Sequence, residues 1–525
     1  MALNRRALLS AGGLLVLTPA ALAAARKAVT QPEGWFNVRY YGAKGDGKAI
    51  DTPAVERAID AAAMRGGGTV YLPAGSYACY TIHLKSNIQL YLDEGATLLA
   101  ASTPLEGTMS GGYDNAEPQG AFEPYQDYGH NHWRNSLIYG ENIHDIAIAG
   151  PGLIWGKGLS RGHPKDTDLP DTNKPGVGNK AIALKNCHNV TLQDFSILQG
   201  GWFAILATGV DNLTIDNLKI DTNRDGMDID CCRNVRVSNC SVNSPWDDGI
   251  CPKSSYALGY ARPTENVTIV NCYVTGAYQL GSMLGGSWIR VAADVHLPTG
   301  RVKMGTESNG GFLNITISNC VFDHCRGLAL ETVDGAHCED ITITGITMRG
   351  VNNAPLFLRL GRRLRGPEGT KPGTLKRILI SNVTSYGAAS QPSLFAGLPE
   401  APIEDIKLND IYLHQLGGYA GDVNRDVPEN AAQYPEPSAF GDLPAGGLYA
   451  RHVRGLEASH VEVVSEAVDP RVAFWLEDVA DADFSYVGTR GAAATFNLKA
   501  VRDFRLSESR GLSDTLLSGP VTKKI

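Results

Sequence analysis

Along the middle of the chain, apolar residues fall at every second position in short runs, and each run follows a residue suited to a tight turn. Asn142-Ile143-His144-Asp145-Ile146-Ala147-Ile148 opens the series. Asn189-Val190-Thr191-Leu192, Asn212-Leu213-Thr214-Ile215, Asn234-Val235-Arg236-Val237, Asn266-Val267-Thr268-Ile269, Asn314-Ile315-Thr316-Ile317 and Asp340-Ile341-Thr342-Ile343 repeat it. A period of two is the signature of a strand. The pattern continues at Arg377-Ile378-Leu379-Ile380 and Glu404-Asp405-Ile406-Lys407-Leu408, then fades through His460-Val461-Glu462-Val463 and Asp503-Phe504-Arg505-Leu506. The short steps, such as Asn212 to Asn234, have no room for a strand-helix-strand unit and show no helical periodicity. The predicted fold is therefore all-β, a right-handed parallel β-helix in which each coil buries the apolar face of its neighbour.

Two features accompany the repeat. Asn186-Cys187, Asn239-Cys240, Asn271-Cys272 and Asn319-Cys320 recur at one position, which predicts a stacked internal column of free thiols. The Asn-x-Thr sequences at Asn189, Asn212, Asn266, Asn314 and Asn382 follow from the same rule, because Asn tolerates the tight turn and Thr suits the strand. They are read as part of the repeat, not as glycosylation sites.

Ahead of the repeat lie two other segments. Residues 1–25, with Arg5-Arg6 before an apolar stretch that ends in alanines, have the order of an export signal of the twin-arginine type. Cleavage would release a periplasmic or secreted protein. Ser10, Gly12, Gly13, Thr18 and Pro19 interrupt the stretch and argue against a membrane anchor, and no other segment is apolar enough to span. From residue 34 to 525 a single domain is expected. Thr52 is a good helix N-cap, with Pro53 in the first turn and Val55, Ala58, Ile59 and Ala62 as the apolar stripe, before Gly66-Gly67-Gly68 stops the helix. Such a helix caps the first coil. No lysine with serine or threonine follows the glycines, so they are not a phosphate loop.

Composition narrows the function. Formal net charge is −8, with no basic aromatic patch, which disfavours nucleic acid as a partner. Loops at 103–135 and 276–300 carry Tyr113, Phe122, Tyr125, Tyr128, Trp133, Tyr278 and Trp288, rings suited to sugar faces or simply to packing the loops down. The second loop could also close one end of a cleft. His130-Asn131-His132 lacks a further ligand at metal spacing, so neither metal nor cofactor is expected. Arg359, Arg362, Arg363, Arg365 and Lys371 form a basic run that either draws in an anionic polymer or is a solvated loop.

The chemistry-bearing candidates are Asp225 and the pair Asp247-Asp248, one short repeat apart and so expected on adjacent coils. Hydrolysis of a glycosidic bond with inversion needs a carboxylic acid for the leaving oxygen and a carboxylate for water, about 6.5–9.5 Å apart. Coils stacked about 4.8 Å apart, with offset side chains, reach that range. Crowded carboxylates also raise the pKa of at least one of them. Taken singly, each Asp is as well explained as a turn residue.

The segments Tyr41-Gly42-Ala43-Lys44-Gly45-Asp46-Gly47, Asn223-Arg224-Asp225-Gly226-Met227-Asp228, Asp247-Asp248 and Gly305-Thr306-Glu307-Ser308-Asn309-Gly310-Gly311 resemble glycoside hydrolase family 28, the polygalacturonases and rhamnogalacturonan hydrolases. The resemblance covers residues 34 to 415, and Tyr434-Pro435-Glu436-Pro437 through His452 is similar to bacterial members. It implies a catalytic set of Asp225, Asp247 and Asp248, with Asp248 as the acid, although Arg224 stands where the family has threonine. It implies a pectin-type polysaccharide or oligosaccharide as substrate, with Lys253, Arg301, Lys303, Glu307, Arg326 and Glu331 along the cleft. Two departures bear on the sugar: the family's histidine motif before Gly305 is missing, and Ala329 and Glu331 stand where it carries a carboxylate-binding Arg and Lys. Either Arg301 and Lys303 supply those cations from an earlier coil, or the leaving-group sugar is neutral, the reading that Glu331 favours. A calcium-dependent lyase with Lys253, Arg301 or Lys303 as base, and a non-catalytic glycan-binding solenoid, are the alternatives.

Overall fold

The computed structural model describes residues 32–103, 112–161, 174–292, 298–389, 391–423 and 426–525. The export-signal segment lies outside them. The described chain winds into a β-helix of 35 strands, parallel from coil to coil until the last two. Each coil contributes to three stacked sheets. The first sheet holds the predicted runs, for example His188–Gln193, Asp211–Asp216, Arg233–Ser238, Thr264–Val270 and Phe312–Ser318. Val190, Leu213, Val235, Val267, Ile315 and Ile341 stand in register one above another, each no more than 1% exposed. Burying such a side chain contributes roughly 1.5–3 kcal/mol, repeated at every coil. The second sheet is built of three-residue strands such as Lys219–Asp221 and Ser241–Asn243. The third carries the candidate site.

The turn asparagines form a ladder. Asn189, Asn212, Asn234, Asn266 and Asn314 all have φ between 54 and 58°, the left-handed region that Asn tolerates best after glycine. Each side-chain amide donates to the Oδ1 of the coil before: Asn212 to Asn189 at 2.9 Å, Asn234 to Asn212 at 3.2 Å, Asn266 to Asn234 at 3.2 Å and Asn314 to Asn266 at 2.7 Å. Asn382, at φ 53°, belongs to a neighbouring turn and donates to Thr344 Oγ1.

Three expectations are corrected. All ten cysteines are free and buried, but they do not share one column. Cys240, Cys272 and Cys320 continue the column of Leu218, whereas Cys187 stacks with Val210 and Cys232 at another corner of the coil. The helix spans Thr52–Met64 and its N-cap is Asp51, not Thr52. Asp51 is fixed there because its carboxylate accepts the backbone N–H groups of Lys44 at 2.6 Å and Gly45 at 2.9 Å, while Thr52 Oγ1 accepts from Tyr80 N at 2.8 Å. The stop is steric as well as conformational, since a Cβ on Gly67 would lie 2.5 Å from the Asn87 carbonyl oxygen. Finally, the solenoid does not fade. Strands Ala445–Ser485 and Gly488–Ser507 keep it going with a buried stack of Phe474, Phe484, Phe496 and Phe504, and the antiparallel strands Thr515–Leu517 and Val521–Lys524 close the end. Among the described residues no helix is long and apolar enough to cross a membrane.

Candidate active site

The third sheet stacks Lys180–Lys185, Phe203–Thr208, Asp225–Asp230, Ile250–Lys253, Val302–Met304, Leu328–Thr332 and Leu356–Leu360. Its inward positions are apolar like the rest of the helix. Its outward positions include Asp228, Asp230, Lys253, Lys303, Glu331 and Arg359, charged yet buried. Asp225 opens one strand, and Asp247-Asp248 precede the strand stacked on it, with Gly226 N donating to Asp248 O at 3.0 Å. Asp225, Asp247 and Asp248 thus meet, each offering a carboxylate oxygen within 4.8 Å of the others. That contact is tighter than the separation expected from the offset of stacked side chains.

The three are not equivalent. Asp248 is 2% exposed, with Arg301 Nε 2.8 Å from one oxygen and Lys303 Nζ 2.7 Å from the other. Burial opposes its charge, but Arg301 and Lys303 outweigh burial and hold it well below the ordinary carboxylate range. Asp225 has no such partner. Burial, reinforced by the charges of Asp247 and Asp228, pushes it well above that range. Asp247 is the open member, its side chain 27% exposed and bonded to Arg224 at 2.8 Å. Arg224, which departs from the family motif, lies 4.8 Å over the Trp202 ring, and the exposed Trp246 adjoins Asp247.

The remaining predicted residues converge here. Val302 pairs with Ile250 on one side and Leu328 on the other, so Arg301 and Lys303 belong to the coil between the Asp pair and Glu331. Lys303 stands in register with Ala329, and Glu331 with Arg359. Glu331 is fully buried, 3.9 Å from Arg301, and its carboxylate oxygens have no hydrogen-bond partner among the described residues. Burial raises it to about 7 against the pull of Lys303 and Arg301. Lys253 is paired with Glu307 at 3.1 Å, and Glu307 also receives Arg365 at 2.7 Å. Arg326 reaches Glu436 at 3.4 Å.

Several participants were not foreseen. His130, considered with His132 only as a metal ligand, is 2% exposed between Asp228 at 3.9 Å and Glu307 at 3.6 Å. Asp228, raised to about 6 by burial against Lys253 and His130, lies in the motif that named Asp225, and its two-residue alternation with Asp230 was the available signal. Tyr434 and Glu436 come from a segment more than a hundred residues downstream, which resembles bacterial members of the family but gave no sign that these side chains reach the Asp trio. The basic run is not a solvated loop throughout. Arg359 is buried against the carbonyls of Ala396, Gly397, Glu429 and Asn430, Arg363 clamps Asp334, and Arg365 joins Asp127 to Glu307. Of the loop aromatics, Tyr113 and Trp133 are buried packing residues, whereas Trp288 is 50% exposed against Tyr278.

Among the described residues two clusters have donor atoms close enough for a cation, the Asp trio and Asp225, Asp228 with Cys251. They fit one poorly. Asp248 has its oxygens committed to Arg301 and Lys303, burial favours protonated Asp225, and burial likewise keeps the Cys251 thiol protonated.

The chain is similar to several known proteins. Residues 35–131 match the family described as rhamnogalacturonase A/epimerase, pectate lyase-like, and residues 180–357 match the right-handed β-helix region. A probable polygalacturonase of Vitis vinifera is 24% identical over 394 residues, covering 66% of this chain and 74% of the relative. An exo-poly-α-D-galacturonosidase of Dickeya chrysanthemi is 26% identical over 355 residues, covering 57% of this chain and 56% of the relative. Among solved structures, the family 28 exopolygalacturonase of Yersinia enterocolitica superposes with a TM-score of 0.60 at 18% identity, over 94% of this chain and 80% of that one. At that identity the likeness speaks to the fold.

Proposed function

Since this chain is a glycoside hydrolase of the polygalacturonase-like family 28, we propose that it cleaves α-glycosidic bonds in a pectin-type polysaccharide or oligosaccharide by single displacement, with inversion at the anomeric carbon. The observation that carries this reading is the split within the Asp trio. Asp248 is held ionised by two cations, while Asp225 is driven toward its protonated form beside Asp247. Two carboxyl environments pushed in opposite directions are what acid and base roles require.

In the proposed step, Asp248 takes a proton from water as the water oxygen attacks the anomeric carbon. The bond to the leaving oxygen breaks, and that oxygen takes up the proton that burial keeps on Asp225, relayed through Asp247, the trio member open to the cleft. The acid role implied for Asp248 by the resemblance is thereby reassigned, because a carboxylate between cations at 2.8 and 2.7 Å has no proton to give. Trp246, exposed beside Asp247, offers a ring face for a sugar. The lyase reading loses support on the same geometry: its base would have to be Lys253, Lys303 or Arg301, and despite burial each is kept protonated by the carboxylates of Glu307 or Asp248.

Residues 1–25 are proposed to direct export to the periplasm or beyond, where such a polymer is met. Ten free, buried thiols suit a protein folded in a reducing compartment before export.

The test is to incubate the purified protein with a panel of pectin fragments and identify the products. Saturated sugars, released at a rate indifferent to chelators, are expected. An ultraviolet-absorbing unsaturated product, lost on chelation and restored by calcium, would overturn the proposal in favour of a lyase.

A further inference from the structure

Between strand Ile403–Gly417 and strand Ala445–Ser485 the chain leaves the coil and returns across the third sheet as a strap. It is fastened on both sides of its central part. Ahead of that part, Arg359 Nη2 donates to the carbonyls of Glu429 and Asn430, both at 3.1 Å, and Arg451 Nη1 donates to that of Val427 at 2.8 Å. Behind it, Phe440 is 2% exposed beneath the Arg359 guanidinium. The central part is therefore preorganised, and it brings Tyr434 and Glu436 into the cleft.

Glu436 lies on Arg301 in a two-point contact, Oε1 2.5 Å from Nη2 and Oε2 3.4 Å from Nη1. Arg326 Nη1 and Asn353 Nδ2 approach the same carboxylate at 3.4 Å each. Tyr434 OH accepts from Lys303 Nζ at 3.3 Å and Thr306 Oγ1 at 3.1 Å. A guanidinium fork, a second guanidinium and an amide around one carboxylate make the arrangement that recognises a carboxylate in any ligand. Here the protein's own side chain fills it, on the coils that follow the Asp trio. Glu436 and Arg326 remain 15% and 26% exposed at their side chains, so both face the cleft.

We propose that Glu436 is a specificity-determining residue, occupying with an internal carboxylate the cationic fork that a uronate would need and thereby reserving the adjoining subsite for a neutral sugar. The inference rests on the hydrolase reading and names the sugar class at one of its subsites. A second carboxylate there would face Glu436 directly and Glu331 beneath Arg301, and it would have to share Arg301 and Arg326 with Glu436. Lys303 and Arg301 are shared with Asp248, Lys253 and Arg365 are held by Glu307, and Arg224 is held by Asp247. The lone pairs of the Glu436 oxygens not taken up by Arg301 can instead accept from sugar hydroxyls.

The test compares wild type with Glu436→Gln, which keeps the shape of the side chain and removes its charge. kcat/KM is measured on oligogalacturonates, uronate at every position, and on rhamnogalacturonan oligosaccharides of equal length, in which neutral rhamnose alternates with galacturonate. Wild type should prefer the alternating substrate, and the variant should shift the ratio toward oligogalacturonate by about ten-fold or more, the scale of one charge-assisted contact. Equal losses on both substrates with the ratio unchanged would make the strap purely structural and overturn the inference, as would a wild type that strongly prefers oligogalacturonate. Binding of digalacturonate, measured by calorimetry without turnover, separates the two levels of the argument. If neither polymer is hydrolysed, the hydrolase reading fails. Tighter binding to Glu436→Gln by about ten-fold would still support the role of Glu436, and unchanged binding would refute it.

Discussion

Asn212, Asn234 and Asn266 on one side, and Asp225, Asp248 and Arg301 on the other, belong to consecutive turns of the same helix. On the ladder side each coil repeats the last: one turn residue, one side-chain hydrogen bond to the coil before, one aliphatic residue inward. On the site side no coil repeats another, and charged residues such as Asp228, Lys253, Lys303, Glu331 and Arg359 alternate with uncharged ones at the outward positions. Repetition spreads stability evenly over many small, similar terms. The site concentrates large opposing terms, burial against charge pairing, in a few residues whose balance differs from one carboxylate to the next. Stability and chemistry are thus assigned to different faces of one repeat.

The sharpest way to break this contrast is to neutralise the site without touching the ladder. Asp248→Asn and Asp247→Asn should each lower turnover by about 100- to 10,000-fold, while thermal melts stay near wild type. The two should then part company on a substrate with an aryl leaving group that needs no proton: Asp247→Asn recovers, Asp248→Asn does not. Recovery by Asp248→Asn instead would return the acid role to Asp248.

A smaller effect tests the opposing terms themselves. Glu331 titrates at about 7 in the fold and near 4.3 in the unfolded chain. The folded state binds its proton more tightly, so its contribution to stability declines as pH rises from about 4.3 to about 7 and stays lost above that. Glu331→Gln should therefore gain on the order of 4 kcal/mol at pH 8 and nothing near pH 4. Equal melting temperatures at pH 8 would show that Arg301 and Lys303 fully compensate its charge.

The smallest expected change lies on the ladder. Asn234→Ala removes two side-chain hydrogen bonds and forces alanine into the left-handed region, a loss of about 1–3 kcal/mol. kcat should not move. A fall in kcat with unchanged stability would mean that the two faces are coupled after all.

The contrast also explains what the sequence could and could not disclose. Asn189, Asn212 and Asn266 announced the fold because a repeated physical requirement leaves a repeated pattern. Asp225 and Asp248 were legible as neighbours because they lie one uninterrupted coil apart. Asp248's state was not, since it depends on Arg301 and Lys303, which follow a long insertion, and on burial that no local pattern encodes. His130 and Glu436 reach the site from loops that precede it by about one hundred residues and follow it by nearly two hundred. Nothing within such a loop marks which side chain will meet a charge. The two cysteine columns show the same limit at smaller scale: Asn-Cys recurs at two corners of the coil, and only the stacking of Cys187 beneath Val210 and Cys232 distinguishes them.

The most direct test of the central claim, that Asp248 activates water while the Asp225–Asp247 pair supplies the proton in one displacement, is the anomeric form of the first sugar released. Proton NMR on a rapidly cleaved α-linked substrate, recorded before mutarotation, should show the new reducing end appearing first as the β anomer. First appearance of the α anomer would reveal a covalent intermediate on one of these carboxylates and contradict the account.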